Sequence, residues 1–228
     1  MASIILVRHS RSTANTAGVL AGQAPGIALD EVGFTQAQGL VSRIGEIEIK
    51  RIISSPLQRC LETITPWHTA HGKSIIEIDR NFIESDYGSW TGQKLSELSK
   101  EPLWKEVQKK PSKVTFPAGE SFKAMFDRVS KGLDQIIDSL NDDDNVIIVS
   151  HGDIIKLAIA KILDLPIDNF QKLVIDPASI SIVKVEKQEE SRRTALISMN
   201  ESGTPLSKLL ENKELAGLGG GKGDGGGV

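Results

Sequence analysis

Residues 3–9 read SIILVRH, a short continuous apolar run that ends on an arginine and a histidine. Apolar stretches of this length, without polar alternation, suit a strand buried on both faces, as in a parallel sheet covered by helices. Arg8, His9 and Arg11 then place three potential cations in four positions. Such a group repels itself. It makes sense on a solvated surface or around an anion, and the rest of the chain has to separate these two readings.

Downstream the chain alternates strand-like and helix-like segments. A loop containing Gly, Ala and Pro spans 17–29, and Asp30 reads as an N-cap ahead of Ala37, Leu40, Val41 and Ile44 at helical spacing. Arg51 to Ser54 is a second strand. Ser55-Pro56-Leu57-Gln58 has the form of a capping-box start, and its helix is expected to run towards Thr69 with Pro66 straining its end. Ile75 to Ile78 is a third strand. Phe82 to Gly119 is irregular and polar, and is expected to be a functional loop region with short helical pieces. Phe122, Met125, Phe126, Val129, Leu133, Ile136, Ile137 and Leu140 mark a long amphipathic helix. Asn145 to Ser150 is a strand and Asp153 to Leu163 a helix. Ser179 to Glu186 and Thr194 to Met199 alternate in polarity and are joined by a polar turn, which predicts an antiparallel pair. The expected fold class is therefore α/β: a three-layer α/β/α sandwich over residues 1–200, with a mostly parallel central sheet. Residues 201–228, ending GLGGGKGDGGGV, lack the apolar density to fold and read as a disordered tail.

Composition narrows the function classes. The chain has 228 residues and a formal net charge of −3, so any basic site must be local rather than a coat for nucleic acid or an anionic membrane. Cys60 is the single cysteine, which excludes an intramolecular disulfide and a multi-cysteine metal centre. No apolar stretch approaches the ~20 residues of a membrane span. The N-terminal run is too short for a signal-peptide core and is interrupted by Arg8. Neither a nucleic-acid nor a membrane partner is expected, and the expected location is cytoplasmic.

Open α/β sheets bind ligands at the carboxyl ends of their strands. Arg8 and His9 follow the first run, Ser55 and Arg59 the second, Glu84 the third, and His151 and Gly152 the fourth. The topology thus predicts that two histidines, two arginines and a carboxylate meet on one edge. The ordered blocks LVRHSRSTAN, SSPLQRCLET, ESDYGSWTG, FPAGES and VSHGDII also resemble the histidine phosphatase superfamily, or phosphoglycerate-mutase-like family, from about Ile4 to Val185. The resemblance implies the following roles. His9 is a nucleophile that forms a phosphohistidine. Arg8 and Arg59 clamp phosphoryl oxygens. His151 donates to the transferring group. Asn15 and the backbone N–H of Gly152 add donors. Glu84 is the acid/base, with Asp86 in reserve and Glu120 in a comparable loop. A neutral imidazole is a competent nucleophile near neutral pH, and planar guanidinium forks suit phosphate. With cations supplying the charge stabilisation, neither a metal nor a cofactor is required.

Other features have plainer readings. His68 and His71 lack a third ligand and read as a surface pair at a helix end. GLGGGKG imitates a phosphate-binding loop, but Gly223 stands where Ser or Thr is needed. Cys60 has no arginine six residues on, so a cysteine-dependent phosphatase loop is absent. Tyr87 is the only tyrosine, and the segment after Glu84 is short, which resembles the phosphatase branch. The expected function is metal-independent hydrolysis of a small phosphomonoester. The alternatives are a phosphomutase on the same phosphohistidine and a catalytically silent phosphate binder. One departure stands out: where the family commonly has Gly followed by Glu or Gln, this chain has Ser10 and Arg11. Arg11 is expected either to extend the positive pocket towards a second acidic group on the substrate or to point to water.

Overall fold

The computed structural model describes residues 1–72, 75–188 and 191–210. In chain order the main elements are β1 (Ala2–Arg8), α1 (Thr13–Ala17), α2 (Glu31–Ile44), β2 (Arg51–Ser54), α3 (Gln58–His71), β3 (Ile76–Ile78), α4 (Leu95–Leu98), α5 (Pro102–Lys109), α6 (Phe122–Ser139), β4 (Asn145–Ser150), α7 (Gly152–Ile162), β5 (Ile180–Lys187), β6 (Arg192–Glu201) and α8 (Leu206–Leu210). The strands form one sheet in the order β3-β2-β4-β1-β5-β6. β1, β2, β3 and β4 are mutually parallel, while β5 runs antiparallel to both β1 and β6.

The apolar runs read as doubly buried strands are so. Ile4 and Leu6 of β1 and Val146 and Ile148 of β4 pack towards α6 and α7. The alternate residues Ile5, Val7, Ile147 and Val149 pack towards α2, α3 and α8. Two apolar cores, one per face, make the three layers. Pairing of Arg8 with Ser150 and of Ser54 with Val149 brings the carboxyl ends of β1, β4 and β2 side by side.

Asp30 caps α2 as expected, its side chain accepting from the Gly33 N–H. Glycine is required there, because a Cβ on Gly33 would lie 1.9 Å from the Arg11 carbonyl. The start of α3 differs from expectation. Its first residue is Gln58, and Leu57 makes no side-chain cap. The Ser55 hydroxyl accepts from the Leu57 N–H at 3.4 Å and also lies 2.8 Å from His151 Nε2, so the residue read as a cap belongs to the site as well. As expected, α3 runs on past Pro66, to His71. Burial of Ile64 and Trp67, together with a bond from the Trp67 indole to the Gly45 carbonyl, holds the helix past the proline.

The segment before α6 is less polar than it reads. Tyr87, Trp90, Phe116 and Phe122 form a buried aromatic chain, with Phe116 centroids 4.9 Å from Tyr87 and 5.2 Å from Phe122. The expected tail also starts too early. β6 extends to Glu201, and the buried Leu206 anchors α8 against the α2–α3 face. The remainder, including GLGGGKG, lies outside the described residues. Among the described residues no helix is long and apolar enough to cross a membrane.

Candidate active site

The strand ends deliver the expected groups to one cavity of about 430 Å³, lined among others by Arg8, His9, Asn15, Arg59, Glu84 and Gly152. His9 follows β1 directly, and its backbone N–H extends the sheet by donating to the Ser150 carbonyl. His151 sits beside it, the two rings meeting edge to face at 5.2 Å. Both imidazoles are almost fully buried.

His9 Nδ1 lies 2.7 Å from the Ser10 carbonyl. A carbonyl only accepts, so Nδ1 carries the hydrogen and Nε2 carries the lone pair. Burial, reinforced by Arg59 and Arg8, holds the His9 pKa well below its ordinary value. The ring is therefore neutral, and its free nitrogen keeps its lone pair available for attack.

The two arginines are fixed by backbone acceptors. Arg8 Nη1 donates to the Ile175 carbonyl, and Arg59 Nη2 donates to the Gly22 carbonyl. Arg8 Nε and Arg59 Nη1 remain buried without a partner. Buried unsatisfied donors on charged groups are costly, and at a cavity wall they mark a place for an anionic acceptor. Gly152, the first residue of α7, packs against this guanidinium: a Cβ there would lie 3.4 Å from Arg8 Nε and Cζ.

His151 uses both nitrogens. Nε2 faces Ser55 Oγ, while Nδ1 lies 3.2 Å from Arg59 Nη2 and 3.8 Å from Glu84 Oε2. Because Arg59 can only donate, Nδ1 is the acceptor in the neutral ring. Burial, then Arg59, His9 and Arg8, lower the His151 pKa well below its usual range. In this state Nδ1 orients Arg59 and the ring's hydrogen is on Nε2, towards Ser55; donation from Nδ1 as well, to a bound phosphoryl group, goes with the protonated ring. Cys60 Sγ packs 3.5 Å from His151 Nε2, and burial pushes its thiol up to about 12, so it is inert at neutral pH.

Of the three candidate acids, Glu84, Asp86 and Glu120, Glu84 is the one that lines the cavity. Burial, with Asp153 adding to it, raises its pKa to about 7. Its loop is gripped from α6 by Arg128, whose Nη1 donates to the Asn81 and Ile83 carbonyls, both at 2.8 Å. Arg128 also holds Glu120 in a two-pronged ion pair at 2.7 and 3.1 Å. Glu120 is thereby committed to structure. Asp86 is exposed, and its carboxylate accepts from the Gly88 N–H, away from the cavity.

Asn15 reaches the cavity wall with its Oδ1 engaged by Ser12, which leaves Nδ2 as the donor it can offer. Arg11 corrects an expectation. Its Nε pairs with Asp30 Oδ2 at 2.7 Å, and it is not among the residues lining the cavity. The second oxygen of the α2 cap captures it, so it does not extend the positive pocket.

Sequence reasoning missed Asp153 and Arg128, and placed Ser55 at the strand end without a role. Asp153 sits in the first turn of α7 and accepts from the Tyr87 hydroxyl at 3.1 Å. Its position directly after His151 and Gly152 was a usable signal. Arg128 lies on an amphipathic helix far from any motif, and nothing local marks it. His68 and His71 lie in the last turn of α3, and among the described residues no group of three or more His, Cys, Asp and Glu is arranged to hold a metal.

The sequence profile of the histidine phosphatase superfamily (branch 1) matches residues 4–197. Phosphoserine phosphatase 1 of Hydrogenobacter thermophilus is 30% identical over 202 residues, covering 88% of this chain and 92% of its own. A probable phosphoglycerate mutase of Erwinia tasmaniensis is 32% identical over 185 residues, covering 80% and 85% of the two chains. In fold, the chain is similar to the alpha-ribazole phosphatase from Shigella flexneri, with a TM-score of 0.78, 22% identity and coverage of 89% and 98%. Relatives of both kinds, phosphatase and mutase, support a phosphoryl-group enzyme. The chain belongs to the histidine phosphatase superfamily, branch 1.

Proposed function

We propose that the protein is a phosphatase that hydrolyses a small phosphomonoester through a phosphohistidine on His9. The observation that carries this reading is the neutral His9 ring, with Nδ1–H tied to the Ser10 carbonyl and buried, partnerless N–H groups on Arg8 and Arg59 beside it. Phosphoryl transfer needs in-line geometry and charge stabilisation more than covalent help. His9 Nε2 attacks phosphorus, the P–O bond to the leaving alcohol breaks, and Arg8 and Arg59 hold the equatorial oxygens. Protonated Glu84 gives its proton to the leaving oxygen. The resulting carboxylate then takes a proton from a water that attacks the phosphohistidine, which releases phosphate and restores the neutral ring. A carboxyl with a pKa of about 7 is well matched to serve as acid first and base second.

His151 enters the cycle through charge. The field of the two arginines helps to keep it neutral in the free enzyme. A dianionic phosphoryl group offsets that field and so favours the protonated ring, in which Nδ1 as well as Nε2 donates.

The mutase reading draws on the relative from Erwinia tasmaniensis. A mutase must keep water from the phosphoenzyme. Here the cavity borders Leu95 and Val174, which are 39% and 59% exposed, and this favours access of water and hydrolysis. The test is phosphate release from an aryl phosphate in the presence of a chelator, wild type against His9→Ala, with isomerisation of phosphoglycerate assayed in parallel. Turnover that vanished with chelator and survived His9→Ala would sink the mechanism, and isomerisation exceeding hydrolysis would favour the mutase.

A further inference from the structure

We propose that the site selects monoesters whose alcohol is uncharged and carries an apolar body, with Leu95 and Val174 as specificity-determining residues. The inference rests on the phosphatase reading and names the substrate class of that same site.

The cavity changes character beyond the arginines. The loop after α1 contributes Val19 and Leu20 to its lining and is zipped to the chain leading into α4. Leu20 N–H donates to the Gln93 carbonyl at 2.9 Å, the Gly92 N–H donates to the Leu20 carbonyl at 2.8 Å, and the Leu95 N–H donates to the Gly18 carbonyl. This pairing sets Leu95 at the cavity. A second stretch, after Phe170, brings Leu173 and Val174 to the same cavity. Exposed apolar residues scattered singly need no explanation, but two separate segments placing them around one cavity form a surface suited to an apolar group.

Charge points the same way. Among the described residues lining the cavity, Lys156 is the one lysine or arginine besides Arg8 and Arg59. It is already engaged: its Nζ lies 3.1 Å from Gln171 Oε1 and 3.4 Å from Asp153 Oδ1, and 5.8 Å from the Phe170 ring centroid. Asp153 and Asp176 also line the cavity, and each adds a carboxylate. Arg11, the cation expected to meet a second acidic group, is held by Asp30 outside the cavity. A substrate carboxylate or second phosphate would therefore meet two carboxylates and one committed ammonium.

Alkyl phosphates test this without changing the leaving-group chemistry. Ethyl phosphate, n-hexyl phosphate and 6-phosphohexanoate release similar primary alcohols, so differences in kcat/KM report the body of the alcohol. The expected result is a preference of ~10-fold or more for hexyl over ethyl, from partial burial of four methylenes, and a fall of ~10-fold or more when the chain ends in a carboxylate. In Leu95→Asp and Val174→Asp the hexyl-to-ethyl ratio should fall to ~3 or below. This ratio is insensitive to a general loss of active enzyme. Equal use of ethyl and hexyl esters, or preference for the carboxylate, overturns the proposal and leaves the phosphatase reading standing. Absence of turnover with all three esters and with an aryl phosphate, and of any phosphoenzyme, overturns both.

Discussion

The Tyr87 hydroxyl donates to Asp153 Oδ2 at 3.1 Å and so fixes a second carboxylate near Glu84. Burial is the larger cause of the raised Glu84 pKa, about 7, and Asp153 is the next. The first step of the proposed cycle needs Glu84 protonated, so kcat/KM should fall as pH rises through that value. Asp153→Asn removes a like charge and lowers the Glu84 pKa. The alkaline limb of kcat/KM should therefore move to lower pH, and a pH–rate profile measures the displacement. A limb that stayed in place would show that Asp153 does not act on Glu84.

Arg128 gives a prediction about positioning. It bonds the carbonyls of the loop that presents Glu84 and pairs with Glu120 at both carboxylate oxygens. Arg128→Met should lower stability by about 2–3 kcal/mol, because Glu120 is left partly buried without its partner. It should also reduce kcat ~10-fold or more with a smaller change in KM, through misplacement of the acid. Arg128→Lys should rescue neither quantity well, because one ammonium cannot replace a planar fork that holds several acceptors. Thermal unfolding and steady-state kinetics on the two variants check this.

His151 should respond to ligand. Its pKa is lowered by burial and then by Arg59, His9 and Arg8, so the ring stays neutral in the free enzyme down to well below its ordinary titration range. A bound dianion compensates the arginines, and the pKa should rise. Imidazole resonances followed by NMR against pH, with and without orthovanadate, read the shift directly. An unchanged His151 titration would contradict its proposed role as a donor in the filled site.

Arg11 should matter little to turnover. Its guanidinium pairs with Asp30 rather than the cavity. Arg11→Ala should leave kcat/KM within ~3-fold for singly phosphorylated substrates, in line with the small effect of removing a partly exposed ion pair. A selective loss on substrates bearing a second acidic group would restore the reading of Arg11 as a substrate contact.

Which parts of the molecule were legible in the sequence follows from the range of the forces involved. SIILV and NVIIVS announced doubly buried strands because burial on both faces removes polar alternation, and both strands lie near the centre of the sheet. The convergence of Arg8, His9, Arg59, Glu84 and His151 followed from parallel topology, which turns position after a strand into proximity. Ser55 was read only in part, because its local pattern showed the turn into α3 and not the tertiary contact of the same hydroxyl with His151. Arg11 stayed open for a similar reason: its partner depends on which Asp30 oxygen the α2 cap leaves free, and a linear pattern does not encode that. The Arg128 grip on the Glu84 loop spans 44 residues and has no local signature. The short α8 was obscured by the Gly-rich composition of the segment that follows it, although Leu206 alone supplies a buried anchor.

The central claim is that phosphate passes through His9, and isolation of the phosphoenzyme tests it most directly. In Glu84→Gln, an aryl phosphate with a good leaving group can still phosphorylate the ring, while attack of water on the phosphoenzyme loses its base. Rapid quench at alkaline pH, followed by peptide mapping, should find about one acid-labile phosphoryl group per chain on His9, attached at Nε2 because Nδ1 is tied to Ser10. Phosphate on any other residue, or undiminished turnover in His9→Ala, would contradict the account.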